Sequence, residues 1–101
     1  MLLRHLQDLV DKMVDSLGGY WPDDQIFERI VEEVGELARS RRRVSTKPND
    51  PDRKHNEAEE VYDCLFSIIA YANRRKINLG EMFAKKIEAL PTPIDISVIG
   101  P

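Results

Sequence analysis

The chain has little cysteine and no long apolar run, and each shortage excludes a class of protein. Cys64 is the single cysteine in 101 residues, which excludes an internal disulfide and suits a reducing cytoplasm. No stretch approaches the ~20 apolar residues of a membrane helix, and the amphipathic start lacks the small-residue cleavage site of a signal peptide. We therefore expect a cytoplasmic protein with no membrane partner.

Positive charge is also in short supply. The chain has 15 Lys and Arg residues against 18 Asp and Glu residues, which gives a net charge of −3. Because nucleic acids are bound largely through clustered cationic side chains, we expect no nucleic-acid partner. Hydrophobic residues make up 42% of the chain, which is enough for one core. A domain of this length is marginally stable alone, so oligomerisation is expected.

Apolar residues recur at three- and four-residue steps along most of the chain, which is the period of an α-helix. The pattern predicts an all-α, four-helix bundle-like domain over residues 1–90. Residues 91–101 form a proline-containing tail, and their β-branched residues suggest packing against the bundle or a partner subunit.

Local signals place the helix ends, because glycine caps helix C-termini, Asn and Asp cap N-termini, and proline interrupts helices. The first helix is expected to end at Gly18-Gly19, and the second to begin after Pro22, with Asp23 or Asp24 as its cap, and to end in the basic run 41–43. A loop is expected over 44–53, followed by a third helix over about 54–76. The fourth helix is expected to begin at Asn78 and to end before Pro91.

The apolar stripes of the second and third helices are expected to form the core. They comprise Ile26, Phe27, Ile30, Val31, Val34, Leu37 and Ala38 on the second helix, and Ala58, Val61, Tyr62, Leu65, Phe66, Ile69 and Ala72 on the third.

The same two helices each carry a pair of acids three residues apart. Glu33 and Glu36 share one helix face, as do Glu60 and Asp63, because residues at this spacing are neighbours. No Lys or Arg follows these acids at the four-residue offset that usually relieves such charge. A divalent cation that bound both pairs would relieve it. A solvated acidic surface is the other explanation, and spacing alone does not decide between them.

One stripe of the third helix has room for a ligand beside these acids. It contains Asp63, Ser67, Ala70 and Arg74, and Ser67 and Ala70 are small. The stripe lies away from the apolar face of the same helix. It must therefore face solvent, another pair of helices or a second subunit.

The order E-E-x-x-E at 32–36 followed by E-x-x-D at 60–63 resembles the MazG-like nucleotide pyrophosphohydrolases of the all-α NTP pyrophosphatase superfamily. The resemblance covers about residues 18–90. It implies Mg²⁺-dependent hydrolysis of a nucleoside triphosphate to the monophosphate and pyrophosphate, with Mn²⁺ as a substitute ion and non-canonical nucleotides as candidate substrates. It also implies a homodimer or homotetramer whose subunits complete the fold.

By position, the resemblance implies roles for individual acids. Glu33, Glu36, Glu60 and Asp63 would be the metal ligands. Either Glu32 or Glu36 would take the proton from the attacking water.

The resemblance also implies which residues bind the substrate. Lys86 aligns with a lysine of the family's last helix and would meet the pyrophosphate, with Lys54 as a further cation. Ser67 would lie beside the ligand. Trp21 offers either a stacking surface for the base or a core contact. Tyr20, Phe27 and Tyr71 are further aromatic candidates for stacking, with core packing the expectation for Phe27.

Two departures from the family pattern leave other functions open. Tyr62 stands before the final acid of E-x-x-D, and Leu90 stands where the family often has Asn. Phosphoribosyl-ATP pyrophosphohydrolase has the same acidic pattern and is the second enzymatic candidate. A helical interaction module with an inert acidic face is the non-enzymatic one.

Overall fold

A computed structural model describes residues 2–46 and 53–95 of the protein, with side chains at 2–42 and 57–95. Within these ranges the chain is helical and contains no strand. Its helices are α1 (Leu2–Ser16), α2 (Asp23–Thr46), α3 (Arg53–Arg74) and α4 (Leu79–Glu88). The all-α prediction is confirmed. None of the described helices combines the length and apolar character needed to cross a membrane.

Two predicted helix ends are confirmed by their local geometry. Gly18 and Gly19 follow α1 with φ angles of 106° and 100°, a conformation that costs glycine little. The Gly19 amide donates to the Val14 carbonyl at 2.9 Å, which satisfies one of the last carbonyls of α1. Asn78 caps α4, since its side chain accepts a hydrogen bond of 3.1 Å from the Glu81 amide.

Helix α2 is longer than the sequence predicts. It continues past the basic run 41–43 to Thr46, because β-branched residues and serine lower helix propensity without breaking a helix. The first strong helix breaker is Pro48, whose ring disfavours the α conformation of the residue before it. The rest of the predicted loop, at 47–52, lies outside the described residues.

The core is small and lies where α1, α2 and α3 meet. Val10 and Val14 of α1 cluster with Ile26 of α2 and with Ile69 and Ala70 of α3, and all five are buried. Helix α2 packs along α3, and α1 packs against both α3 and α4. The surrounding residues that pack on this cluster are Leu6, Tyr20, Phe66, Tyr71 and Leu79.

Much of the predicted apolar stripe faces outward in the single chain. The molecule measures 42 × 37 × 21 Å, so it is about two helix diameters thick and leaves helix faces uncovered. Helix α3 instead turns its small residues Ser67 and Ala70 inward. The core prediction is therefore wrong for the following exposed residues: Phe27, Val31, Val34, Ala38, Ala58, Val61, Tyr62 and Leu65.

The tail is described as far as residue 95. Residues 91–95 are non-helical and exposed. Residues 96–101, which include the remaining β-branched residues of the tail, lie outside the described residues.

A buried glutamine ties α1 to the α3–α4 connection. Gln7 is 2% exposed, and its Nε2 donates to Asn73 Oδ1 at 2.8 Å and to the Ile77 carbonyl at 2.9 Å. Its Oε1 accepts from the Leu79 amide at 3.0 Å. Asn73 Nδ2 in turn donates to the Gln7 carbonyl at 2.9 Å and to the Tyr20 hydroxyl at 3.0 Å. Both polar atoms of the Gln7 side chain are thus satisfied.

We expect Gln7→Leu to destabilise the protein by about 2–4 kcal/mol. The substitution leaves several buried polar groups without a hydrogen-bond partner, and each such group costs about 1–3 kcal/mol. The measurement is urea unfolding followed by circular dichroism. Gln25→Leu, at an exposed position of α2, is the matched control and should change stability by no more than about 0.5 kcal/mol. Equal effects of the two substitutions would contradict a structural role for Gln7.

Candidate metal centre and adjoining cavity

The contact between α2 and α3 brings three of the predicted acids together. Carboxylate oxygens of Glu33, Glu36 and Glu60, the acidic trio, all lie within 4.8 Å of one another. Opposite ligands of a Mg²⁺ ion lie about 4.2 Å apart, since each Mg–O distance is about 2.1 Å. The spacing of the acidic trio therefore suits a divalent cation after a small movement of the side chains.

Two oxygens of the acidic trio are buried and lack a hydrogen-bond partner in the described part of the chain. They are Glu33 Oε2 and Glu60 Oε2, and the Glu33 side chain is only 1% exposed. A buried polar atom without a partner is costly. Hard oxygen donors are also the ligands that Mg²⁺ prefers. Both observations fit a cation held by the acidic trio.

The protonation of the acidic trio reflects its burial and crowding. Burial raises the pKa of Glu33 although Arg29 opposes it, and the charges of Glu36 and Asp63 raise it further. Burial also raises the pKa of Glu60, followed by the charges of Glu36 and Asp63 and a side-chain hydrogen bond with Glu36. A hydrogen bond between two carboxyl groups requires a proton. Burial and the neighbouring acids thus favour the protonated form of Glu60.

Cys64 lies in the same environment, one helical turn after Glu60. The thiol is buried. Burial raises its pKa, and the charges of Glu33, Glu60 and Asp63 raise it further. The thiol therefore remains protonated beside the acidic trio.

Two other predicted acids lie outside the acidic trio. Asp63 is half-buried and lines the adjoining cavity beside Glu33, so it is a neighbour of the proposed metal and its role as a ligand stays a prediction. Glu32 has a side chain that is 62% exposed, and its Oε2 accepts a hydrogen bond of 3.2 Å from Arg29.

Glu32 and Glu33 have a cationic partner that the sequence pattern did not reveal. Arg29 Nη2 lies 2.5 Å from Glu33 Oε1. The usual signal is a basic residue four positions after an acid, whereas Arg29 comes four positions before Glu33. Helical neighbours form in both directions. The expectation that these acids lack a basic partner is therefore wrong for Glu32 and Glu33.

A cavity of about 350 Å³ opens beside the acidic trio, which is within the size range of small-molecule sites. Its acidic wall is formed by Glu33 and Asp63, and Ser67 and Ala70 leave space on α3. Within the predicted stripe of α3, Ser67 and Ala70 thus face the other helices of the same chain, which is one of the three orientations that the sequence allowed, whereas Arg74 is exposed. The remaining lining residues are Val14, Leu17, Gly19, Tyr20, Trp21, Ile26, Arg29 and Phe66.

The structure brings two of the four predicted substrate residues to this cavity. Trp21 lines it and is 58% exposed, and Ser67 lines it from a buried position. Lys86 is exposed on α4 and is not among the lining residues. Lys54 belongs to α3, but its side chain lies outside the described residues.

The other aromatic candidates divide between two places. Tyr20 lines the cavity, and its hydroxyl hydrogen-bonds to Asp11. Burial and the contact with Asp11 raise the pKa of Tyr20 to about 12, so the hydroxyl stays protonated at neutral pH. Phe27 and Tyr71 instead form an edge-to-face pair, with ring centroids 5.8 Å apart, in a separate shallow depression.

No protein-family model, curated protein or solved structure matches the chain. The geometry itself defines a class of site, namely a carboxylate cluster between two helices beside a cavity of small-molecule size. Its carboxylate oxygens are the kind of ligand that a hard divalent cation prefers.

We expect Glu60→Gln to raise the thermal midpoint in EDTA at neutral pH, because the neutral amide donates to Glu36 without needing a proton. The pKa of Glu60 in the folded chain lies above its ordinary value of 4.5. Its contribution to stability is therefore fully present below 4.5 and is lost as pH rises through the folded value. The gain from Glu60→Gln should grow from about pH 4 to about pH 8.

Thermal unfolding of both proteins across that pH range provides the measurement. Glu28→Gln, at an exposed position of α2, controls for the loss of one negative charge. A difference between Glu60→Gln and the wild type that stays constant with pH would contradict the shared proton.

Proposed function

We propose that the protein is a Mg²⁺-dependent nucleoside triphosphate pyrophosphohydrolase, which releases a nucleoside monophosphate and pyrophosphate. The observation that carries the proposal is the acidic trio, with two buried unpartnered oxygens, next to a cavity of about 350 Å³. The MazG-like order of acids at 32–36 and 60–63 supports the same chemistry. Removal of non-canonical nucleotides is the proposed biological role.

Glu33, Glu36 and Glu60 would hold the Mg²⁺ ion, or Mn²⁺ in its place, and Asp63 lies beside Glu33 as the fourth candidate ligand. When bound, the ion neutralises phosphate charge and lowers the pKa of a coordinated water. Three or four carboxylates would leave such an ion able to bind substrate oxygens as well.

Glu36 is our choice for the group that accepts the proton from the attacking water. It belongs to the acidic trio, whereas the Glu32 oxygen is occupied by Arg29 and its side chain faces solvent. Water adds across the anhydride between the α and β phosphates, one P–O bond breaks, and the proton passes to a Glu36 oxygen. Glu32 then serves as an auxiliary acid through its contact with Arg29.

The cavity would hold the nucleoside. Trp21 offers a partly exposed ring on which a base can stack, and Ser67 offers a hydroxyl inside the cavity. The binding of the pyrophosphate part of the substrate by Lys86 and Lys54 stays a prediction. A phosphoribosyl-ATP substrate would use the same acids, so the products rather than the site distinguish the two enzymes.

We further propose that copies of the chain associate as a homodimer or homotetramer through the outer face of α2 and α3. Val31 and Val34 of α2 and Leu65 and Ile68 of α3 are each exposed in the single chain, and exposed apolar patches mark interaction surfaces. A second copy is the occupant we favour, because an apolar face is complementary to itself in a symmetric dimer. It would also provide the missing layer over a molecule that is 21 Å thick.

Val34→Glu should convert the oligomer to a monomer of 11.7 kDa, because it places a charge in the apolar interface. Analytical ultracentrifugation across a concentration series provides the measurement. Leu9→Glu, at an exposed position of α1, is the control and should keep the wild-type mass. A wild-type chain that sediments as a monomer throughout would refute the association.

The reaction is tested with a panel of nucleotides and Mg²⁺ that includes canonical, deaminated and oxidised triphosphates and phosphoribosyl-ATP. Monophosphate and pyrophosphate should form, and EDTA should abolish both. Glu36→Gln and Asp63→Asn should each lower turnover by about 100-fold or more, with unchanged circular dichroism. Glu28→Gln should keep wild-type turnover.

Full turnover in both acid variants would overturn the site assignment, and diphosphate plus phosphate would overturn the reaction. If no nucleotide is hydrolysed, a calorimetric Mg²⁺ titration separates an untested substrate from a helical interaction module. Mg²⁺ binding would favour the first, and no binding would favour the second.

A further inference from the structure

Arg29 stands between the acidic trio and the cavity. Its guanidinium binds Glu33 Oε1 at 2.5 Å and Glu32 Oε2 at 3.2 Å. The side chain also lines the cavity next to Glu33 and Asp63. The Arg29 side chain is 46% exposed, whereas that of its partner Glu33 is 1% exposed.

The pair between Arg29 and Glu33 puts a positive charge where a metal ion would supply one. A buried carboxylate needs a compensating charge. Arg29 provides it through Oε1, while Oε2 has no hydrogen-bond partner among the described residues. A divalent cation on Glu33 would repel the guanidinium at this distance. The two cations therefore compete for the same carboxylate.

We propose that Arg29 is an internal counter-ion for Glu33, which a divalent cation displaces into the cavity, where the guanidinium binds a phosphate oxygen of the nucleotide. This inference rests on the proposed function, because it assumes that the acidic trio binds a cation. Guanidinium groups bind phosphate through two parallel hydrogen bonds. Arg29 thus lowers the affinity of the free protein for the cation and raises its affinity for the nucleotide once the cation is bound.

Glu32 provides a second carboxylate that can bind the guanidinium of Arg29 after it leaves Glu33. Its carboxylate lies outside the acidic trio and already contacts Nη1 of Arg29. Arg29 can leave Glu33 while it keeps this exposed contact. The pair with Glu32 therefore limits the movement to a rotation of one side chain at the edge of the cavity.

The test measures Mn²⁺ affinity without nucleotide, by calorimetry at fixed pH. Arg29→Met removes the charge and keeps much of the apolar stem, and it should bind Mn²⁺ about 3- to 10-fold more tightly than the wild type, as expected for the loss of one partly exposed ion pair. Its thermal midpoint in EDTA should fall. With Mn²⁺ present, its affinity for inorganic pyrophosphate should fall by about 10-fold.

Arg4→Met is the matched control, because Arg4 forms an exposed ion pair with Asp8 at the same four-residue spacing. It should leave Mn²⁺ and pyrophosphate binding unchanged. Arg29→Gln keeps a hydrogen-bond donor without the charge and replaces Arg29→Met if the latter does not fold. It should change both affinities in the same directions.

The outcomes separate this inference from the proposed function. A wild-type protein that does not bind Mn²⁺ refutes both. A wild-type protein that binds Mn²⁺, with equal or weaker binding in the Arg29 variants, refutes the role of Arg29 and leaves the metal centre standing. Tighter Mn²⁺ binding together with weaker pyrophosphate binding supports the exchange of partners.

Discussion

The burial of the Glu33 carboxylate between α2 and α3 is the constraint on which the rest of the site depends. Its negative charge lies at the most extensive helix contact of the molecule, 1% exposed and beside two other acids. The ion pair to Arg29 offsets part of this cost, and burial with the neighbouring acids raises the pKa of Glu60, which lowers the negative charge of the cluster.

Stability and chemistry are supported at different places in the fold. The Gln7 side chain has a partner for each of its polar atoms, and Asn73 extends that network to Tyr20 in the cavity wall. Glu33 and Glu60, by contrast, each keep a buried oxygen without a partner in the residues that the structure describes. Full satisfaction rigidifies a buried network. The network of Gln7, Asn73 and Tyr20 therefore stabilises one wall of the cavity, whereas the acidic wall keeps buried oxygens without a partner among the described residues.

Local features of the fold could be predicted from the sequence, whereas the helix faces that become buried could not. Gly18-Gly19 and Asn78 act through hydrogen bonds within a few residues, so the sequence identifies them. Periodicity shows which residues share a helix face but not which face is covered. The sequence therefore left open whether Ser67 and Ala70 face solvent, other helices or a second subunit, and the structure buries both. Spacing indicated that the acids on α2 and α3 would meet. It could not indicate that Asp63 would stay outside the acidic trio, because that depends on how the two helices are rotated against each other.

The protonated state of the Cys64 thiol affects how this part of the molecule reacts with metals and electrophiles. Thiolates recruit soft metals and react with electrophiles, and the protonated thiol does neither well. Burial and the charges of four nearby acids raise the pKa of Cys64, which favours the protonated thiol. The buried Cys64 thiol is therefore expected to react slowly with alkylating reagents at neutral pH.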